Sequence, residues 1–369
     1  MVDEVRPGLE KVPAANFLKP QIQTLKAYES KAIPGCVRLD ANENPLPWPK
    51  GMREELFASP FILNRYPDGE ARELRQTISQ YTGVPVEGII AGNGSDELIQ
   101  LIMTTFGGEK RAVIYHPPTF SMYGAAAQVT GTDTIEVPLF LAENGRDFCL
   151  DVEGILEAAA QSRVHMIILC NPNNPTGTLF PREDILRIVK ESQKIVIVDE
   201  AYGEFAGESV VDQIPNFPNL LVMKTYSKLF AMAALRLGYL LGQASTIELL
   251  NRARQPFNVN SFTQKAGVVA FNYVEDYRAQ GCLLINEMDK IVEALKSLPQ
   301  VTVFATRANF VLFQPESPEQ VYAQLIERGF LIRNMGKLPV IGKALRLSAG
   351  LPEENTRLIS VLQEILGGE

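Results

Sequence analysis

Histidine is almost absent from this chain: His116 and His165 are its two instances in 369 residues. Both lie in or beside apolar, strand-like runs, where a buried structural role is expected. A chain this poor in histidine is not built for Ser-His-Asp hydrolysis or for zinc chemistry. Cysteine is also scarce. Cys36, Cys149, Cys170 and Cys282 are far apart and form no C-x-x-C pair, which argues against a disulfide framework or a structural zinc site. That usage fits a reducing cytoplasm. No apolar run approaches membrane-spanning length. The segment Met1 to Glu10 carries acids, proline and glycine rather than a signal-peptide core. Positive charge is lacking too: the net charge is −8 and no basic stripe appears, so neither nucleic acid nor a membrane is an expected partner. Any small anion would have to be held by local arginines.

Apolar residues make up 46% and charged residues 21%, a globular balance, and the length calls for a large and a smaller domain rather than one core. Residues 1–50 look like an arm, because Pro34, Pro45, Pro47 and Pro49 forbid long helices there. From Arg65 a helical pattern places Ala71, Leu74, Ile78 and Tyr81 on one face. Short apolar runs then alternate with helical stretches: 89–91, 112–115, 166–169, 195–198, 220–223 and 238–241. Such runs predict strands buried on both faces, hence an α/β unit over 51–260 with a mainly parallel sheet covered by helices. From 261 the texture becomes α+β. A long helical region runs from Thr263 to Leu298, strands are predicted at 308–313 and 345–348, and Ser317-Pro318-Glu319-Gln320 has a capping-box pattern. A last helix carries Leu358, Val361, Leu362 and Ile365 on one face.

The chemistry sits just after the apolar runs, where open α/β sheets bind ligands. Lys228 follows Lys224-Thr225-Tyr226-Ser227, with Arg236 eight positions on; Asp199 ends the run 195–198, and Tyr202 stands three residues later. Asn174 opens Asn174-Pro175-Thr176-Gly177 in a turn after the run 166–169. Gly92-Asn93-Gly94-Ser95-Asp96-Glu97 is a glycine turn that opens a helix, whose free N–H groups suit a phosphate. It is neither a Walker loop nor G-x-G-x-x-G. Locally each motif has a plain reading: a solvated lysine, a capping Asp, a packing Tyr, a Pro/Asn/Gly turn, an N-cap. Together they supply an amine for an aldehyde, an acid for a pyridine nitrogen, donors for a ring oxygen, and a cation with hydroxyls (Arg236, Thr225, Ser227) for a phosphate. These are the requirements of pyridoxal 5'-phosphate (PLP).

The same strings resemble the fold-type I PLP-dependent aminotransferases and, within them, the histidinol-phosphate aminotransferase family, over nearly the whole chain. Leu39-Asp40-Ala41-Asn42-Glu43-Asn44-Pro45, Arg65-Tyr66-Pro67-Asp68, Gly92 to Glu97, Asn174 to Gly177, Asp199 to Tyr202, Ser227-Lys228 and Arg236 follow in that family's order. Leu331-Ile332-Arg333-Asn334 and Leu345-Arg346-Leu347-Ser348-Ala349-Gly350 are similar to its arginine segments. The resemblance implies catalysis by Lys228, Asp199 and Tyr202. It implies cofactor binding by these and by Gly94, Ser95, Asp96, Asn174, Thr225, Ser227 and Arg236, with Phe120 stacking on the ring. It implies a homodimer with shared active sites, in which Tyr66 reaches the neighbour's PLP phosphate and the N-terminal arm packs with the small domain. The small-molecule substrate would be met by Tyr28, Asn174, Arg333 and Arg346, and no metal is implied. Two departures stand out. Phe120 replaces the more usual tyrosine, and Leu229-Phe230-Ala231-Met232-Ala233-Ala234 has alanines where the family more often has glycines. The expected reaction is transamination of L-histidinol phosphate with 2-oxoglutarate, a step of histidine biosynthesis. The alternatives are an aromatic or broad-specificity aminotransferase, or a PLP-dependent amino-acid phosphate decarboxylase, which would share every cofactor residue.

Overall fold

The computed structural model describes residues 14–25, 27, 33–58 and 60–367. In chain order the elements are β1 (Val37–Arg38), α1 (Met52–Ala58), α2 (Arg72–Thr82), β2 (Ile89–Gly92), α3 (Ser95–Phe106), β3 (Ala112–Tyr115), α4 (Met122–Thr130) and β4 (Asp133–Glu136). There follow β5 (Phe140–Leu141), β6 (Phe148–Cys149), α5 (Val152–Ala159), β7 (Val164–Cys170), α6 (Arg182–Ser192), β8 (Ile195–Asp199), α7 (Gly203–Ala206), β9 (Leu220–Thr225) and β10 (Gly238–Leu241). The remainder comprises α8 (Ala244–Asn251), α9 (Ser261–Phe271), α10 (Val274–Lys296), β11 (Val301–Val303), β12 (Phe310–Pro315), α11 (Pro318–Glu327), β13 (Phe330–Leu331), β14 (Arg333–Leu338), β15 (Gly342–Ser348) and α12 (Pro352–Leu366).

All six apolar runs of the first two-thirds are strands of one sheet, ordered β2-β10-β9-β8-β7-β3-β4. Pairing is parallel from β9 to β4, while β10 is antiparallel to both β2 and β9. Alternate residues feed two cores. Ile167, Leu169, Val196, Val198 and Val222 pack on one face, and Met166, Ile168, Ile197, Leu221 and Met223 on the other. This double burial is why the strands read as continuous apolar runs. The strand of this sheet not expected from the sequence, β4, is a polar, largely exposed edge. A four-stranded antiparallel sheet, β11-β12-β15-β14, makes a third core with α10, α11 and α12. Val37 and Arg38 pair in parallel with Phe330 and Leu331, tying the arm's end to this smaller unit.

Three local expectations are corrected. Helix α2 starts at Arg72 rather than Arg65, because Asp68 accepts the backbone N–H groups of Glu70 and Arg72 and forms a turn there. The region 263–298 is two helices that break at Asn272-Tyr273, with α9 packed on α1 and α2. Ser317 makes no side-chain cap bond, although Pro318 does occupy the first turn of α11. Among the described residues no helix is long and apolar enough to cross a membrane.

Candidate active site

The carboxyl ends of β2, β3, β7, β8 and β9 open on one cavity of about 460 Å³, closed over by residues of the arm and of β14 and β15. At its α3 side, Gly94 has φ 79°, and a Cβ there would lie 2.7 Å from Arg236 Nη2. Gly238 allows the same close approach from β10, since its Cβ would meet Ser95 N at 2.8 Å. The N-terminus of α3 is therefore pressed against Arg236, whose Nη2 donates to Asp96 Oδ2 at 2.8 Å. Ser95, Asp96, Thr225, Ser227 and Arg236 all line the cavity. Thr225 Oγ1 also donates to Leu237 O (3.3 Å) and accepts from Ser227 N (3.1 Å), so it shapes the loop that carries the lysine.

Lys228 Nζ donates to Ala41 O at 2.8 Å and lies 5.5 Å from the Tyr202 ring centre. Burial, reinforced by the Arg346 guanidinium, pushes its pKa down to about 8. Asp199 ends β8, is 3% exposed, and faces the same cavity. Burial pushes its carboxyl up to about 6 against the hydrogen bonds that hold it down. The Tyr202 hydroxyl accepts from Asn42 Nδ2 at 2.9 Å, which aims its own proton elsewhere; burial holds its pKa well above the ordinary value. The Asn174 amide oxygen accepts from Arg346 Nη1, leaving the amide N–H groups as what it offers a ring oxygen. Arg346 is 7% exposed and also donates to Asp40 O at 2.7 Å. Arg333 pairs in register with Arg346 across β14 and β15 and lines the cavity. On the interior strand β9, Lys224 is buried, and although burial alone would lower its pKa, Glu200 (3.0 Å) and Glu204 (3.1 Å) raise it above the ordinary lysine value.

Of the remaining candidates, Phe120 is half-buried at the cavity wall. Tyr66 is not in this cavity. It is 81% exposed, stacks on Phe257 at 4.5 Å between ring centres, and lines a separate surface hollow with Phe61, Ile62 and Lys265. Tyr28 lies outside the described residues. His116 is a core residue: its Nε2 accepts from Cys170 N at 3.1 Å, and burial pushes its pKa down to about 3. His165 is half-buried, with Nδ1 2.8 Å from Arg163 O. Sequence reading passed over Tyr123, whose hydroxyl donates to Asp199 Oδ2 at 2.7 Å. It stands three positions after Phe120 on an apolar helix, where a tyrosine reads as core. Arg38, Asp40 and Asn42 also line the cavity; Asp40 and Asn42 stand inside the string 39–45 and Arg38 just before it, none of them with a role assigned from the sequence.

This donor set fits PLP: a buried carboxylate, an amine of lowered pKa, an amide and a phenol, and a guanidinium wedged against a helix N-terminus where a Cβ would fill the cradle. Comparison with known proteins agrees. The family model described as aminotransferase class I and II matches residues 34–362. A histidinol-phosphate aminotransferase of Desulfitobacterium hafniense is 72% identical over 97% of this chain and 99% of its own length. The crystal structure of the histidinol-phosphate aminotransferase from Clostridium acetobutylicum superposes with a TM-score of 0.79 at 27% identity, covering 90% of this chain and 99% of that one. That of the Sinorhizobium meliloti enzyme in complex with pyridoxal-5'-phosphate shares the fold, with a TM-score of 0.82 at 21% identity over 95% and 97% of the two chains. The chain belongs to the class I and II aminotransferases and, within them, to the histidinol-phosphate aminotransferase family.

Proposed function

We propose that the protein transfers the amino group of L-histidinol phosphate to 2-oxoglutarate, giving imidazole-acetol phosphate and L-glutamate. The observation that carries this reading is the pairing of Arg333 with Arg346 at the wall of the cavity that holds Lys228. Histidinol phosphate has no carboxylate, so its phosphate must use the same guanidinium groups that grip the dicarboxylate in the second half of the reaction. Arginine's planar fork suits both anions. The name of the 72% identical relative supports the same substrate.

When bound, PLP supplies an aldehyde and an electron-withdrawing ring that labilise the Cα–H bond of an amino donor. Lys228 would hold the cofactor through its amine and would serve both as the base that removes the Cα proton and as the acid that delivers it to the cofactor's aldehyde carbon. Asp199 provides the negative charge that keeps the ring nitrogen protonated. Asn174 and Tyr202 donate to the ring oxygen. Arg236, Ser95, Asp96, Thr225, Ser227 and the N–H groups around Gly94 serve the phosphate. Phe120 covers the ring. The described end of the arm, 33–50, pairs through Val37 and Arg38 with the small unit that begins at 261, and 51–260 carry the cofactor. The working form is a homodimer, in which the exposed Tyr66 reaches the partner's phosphate site. The enzyme acts in the cytoplasm.

The test is the visible absorption of PLP-loaded protein titrated with L-histidinol phosphate in the absence of acceptor. The band is expected to bleach, and 2-oxoglutarate to restore it. A band indifferent to histidinol phosphate but bleached by phenylalanine or tyrosine would make this an aromatic aminotransferase. Release of CO₂ from an amino-acid phosphate without any need for acceptor would make it a decarboxylase.

A further inference from the structure

We propose that Tyr123 is a positioning residue of the reaction: its buried hydroxyl fixes Asp199 as an oriented carboxylate beneath the cofactor's ring nitrogen. The inference rests on the PLP reading above and extends it to a residue that touches neither cofactor nor substrate.

The geometry is specific. Tyr123 is fully buried and belongs to the core on the α3–α4 face of the sheet. Its hydroxyl donates to Asp199 Oδ2 at 2.7 Å, while Ala201 N donates to Oδ1 at 3.0 Å. Each carboxylate oxygen thus has one fixed donor, so the plane of the group cannot turn and its free edge faces the cavity. A hydroxyl at this depth is costly to bury unless it is bonded, and phenylalanine would fill the same space. The oxygen is therefore explained by Asp199. The same turn presents Phe120, whose ring meets that of Tyr123 edge-on at 5.6 Å, so one turn at the start of α4 supports both the wall and the acid.

Electrostatics make the bond matter. The other groups around Asp199 are Asp96 from α3, Glu200 at the end of β8, Cys170 from β7 and Tyr202 after β8, and the cations Lys228, Arg236 and Arg346 line the same cavity. Burial, Asp96 and Glu200 all favour the protonated acid, and the Tyr123 hydrogen bond is the largest influence opposing them. Its loss leaves burial and the neighbouring carboxylates less opposed, which moves the carboxyl further up and weakens its hold on the proton of the ring nitrogen.

The test is Tyr123→Phe in the PLP-loaded protein. The first readout is the pH midpoint of the visible band, which rises when the ring nitrogen loses its positive charge. The variant is expected to raise that midpoint by about one unit or more, as loss of a hydrogen bond to a charged group requires. The acid limb of kcat should move upward with it, and kcat at pH 7 should fall about tenfold while KM for the amino donor stays within about twofold. In an Asp199→Asn background the same substitution should add no further shift, because the group it acts through is gone. A Tyr123→Phe midpoint equal to wild type, or an equal shift in the Asp199→Asn background, overturns the proposal. Should the Phe variant not fold, Tyr123→Met, equally without a donor, takes its place under the same criteria. If the wild-type protein itself gives no visible band with PLP, the failure is that of the PLP reading.

Discussion

Lys228 shows how one side chain takes its chemistry from neighbours remote in sequence. Its amine loses hydration on burial and faces the Arg346 guanidinium, both of which favour the neutral form, and its pKa falls to about 8 from the ordinary 10.5. The sign follows directly: a lowered lysine is neutral above its new pKa, so a reaction that needs the free amine speeds up as pH rises through that value. The rate at which cofactor-free protein captures PLP should therefore rise with pH and level off above about 8. Arg346→Gln removes the larger of the two cationic influences, the other being Arg236, and the midpoint should move back towards the ordinary lysine range. Stopped-flow absorbance across pH 6–11 (roughly the span between an ordinary histidine and an ordinary lysine pKa) measures both. A midpoint unmoved by Arg346→Gln would leave burial and Arg236 as the causes. The residue types at Lys228, Asp199, Asn174 and Arg236 were legible from their strings. The Tyr123 bond to Asp199 was not, because a tyrosine on an apolar helix face reads as core, and here it is core with one polar atom in use.

At the scale of the element, the loop from β9 to β10 is the least ordinary piece of the chain. Ala231 has φ 51° and Arg236 φ 53°, both in the left-handed region that costs a residue with a Cβ about 1–2 kcal/mol. The loop holds this shape because it is bonded on several sides. Trp48 Nε1 donates to Ala231 O at 3.0 Å, Met232 N to Tyr226 O at 3.1 Å, and Asn44 Nδ2 to Leu229 O at 2.9 Å. The alanine at 231, conspicuous already in the sequence, thus carries strain that glycine would relieve. Ala231→Gly should stabilise the protein by roughly 0.5–1 kcal/mol, the left-handed penalty less the greater unfolded-state entropy of glycine. The midpoint of urea unfolding measures this, and a lower midpoint would mean that packing of the Ala231 methyl outweighs the strain. Strands were read well where burial on both faces made them uniformly apolar. The break between α9 and α10 was not, because Asn272-Tyr273 carries neither glycine nor proline to mark it.

At the scale of the whole molecule, the placement of Tyr66 is what sets the question. Its exposed ring lies outside the Lys228 cavity, beside a hollow of about 500 Å³ lined by Phe61, Ile62 and Arg65. If Tyr66 serves a partner's site, two defective chains can repair each other. Mixing Tyr66→Ala and Lys228→Ala subunits, each of low activity alone, should regenerate one intact site per hybrid dimer and recover up to about a quarter of wild-type turnover after random exchange. Activity that stays at the sum of the parents would show that each site is complete within one chain. The sequence by itself determined the class of sheet, the cofactor chemistry and the order of its motifs, because double burial leaves continuous apolar runs and because each strand end bears its reactive residue within a few positions. Tertiary structure alone decided that Arg346, 172 residues from Asn174, takes the oxygen of that amide, and that Tyr123, 76 residues from Asp199, donates to that acid. Such pairings have no periodicity to betray them. They exist because parallel strands set distant chain segments side by side, and because a buried polar atom must find its partner wherever the packing provides one.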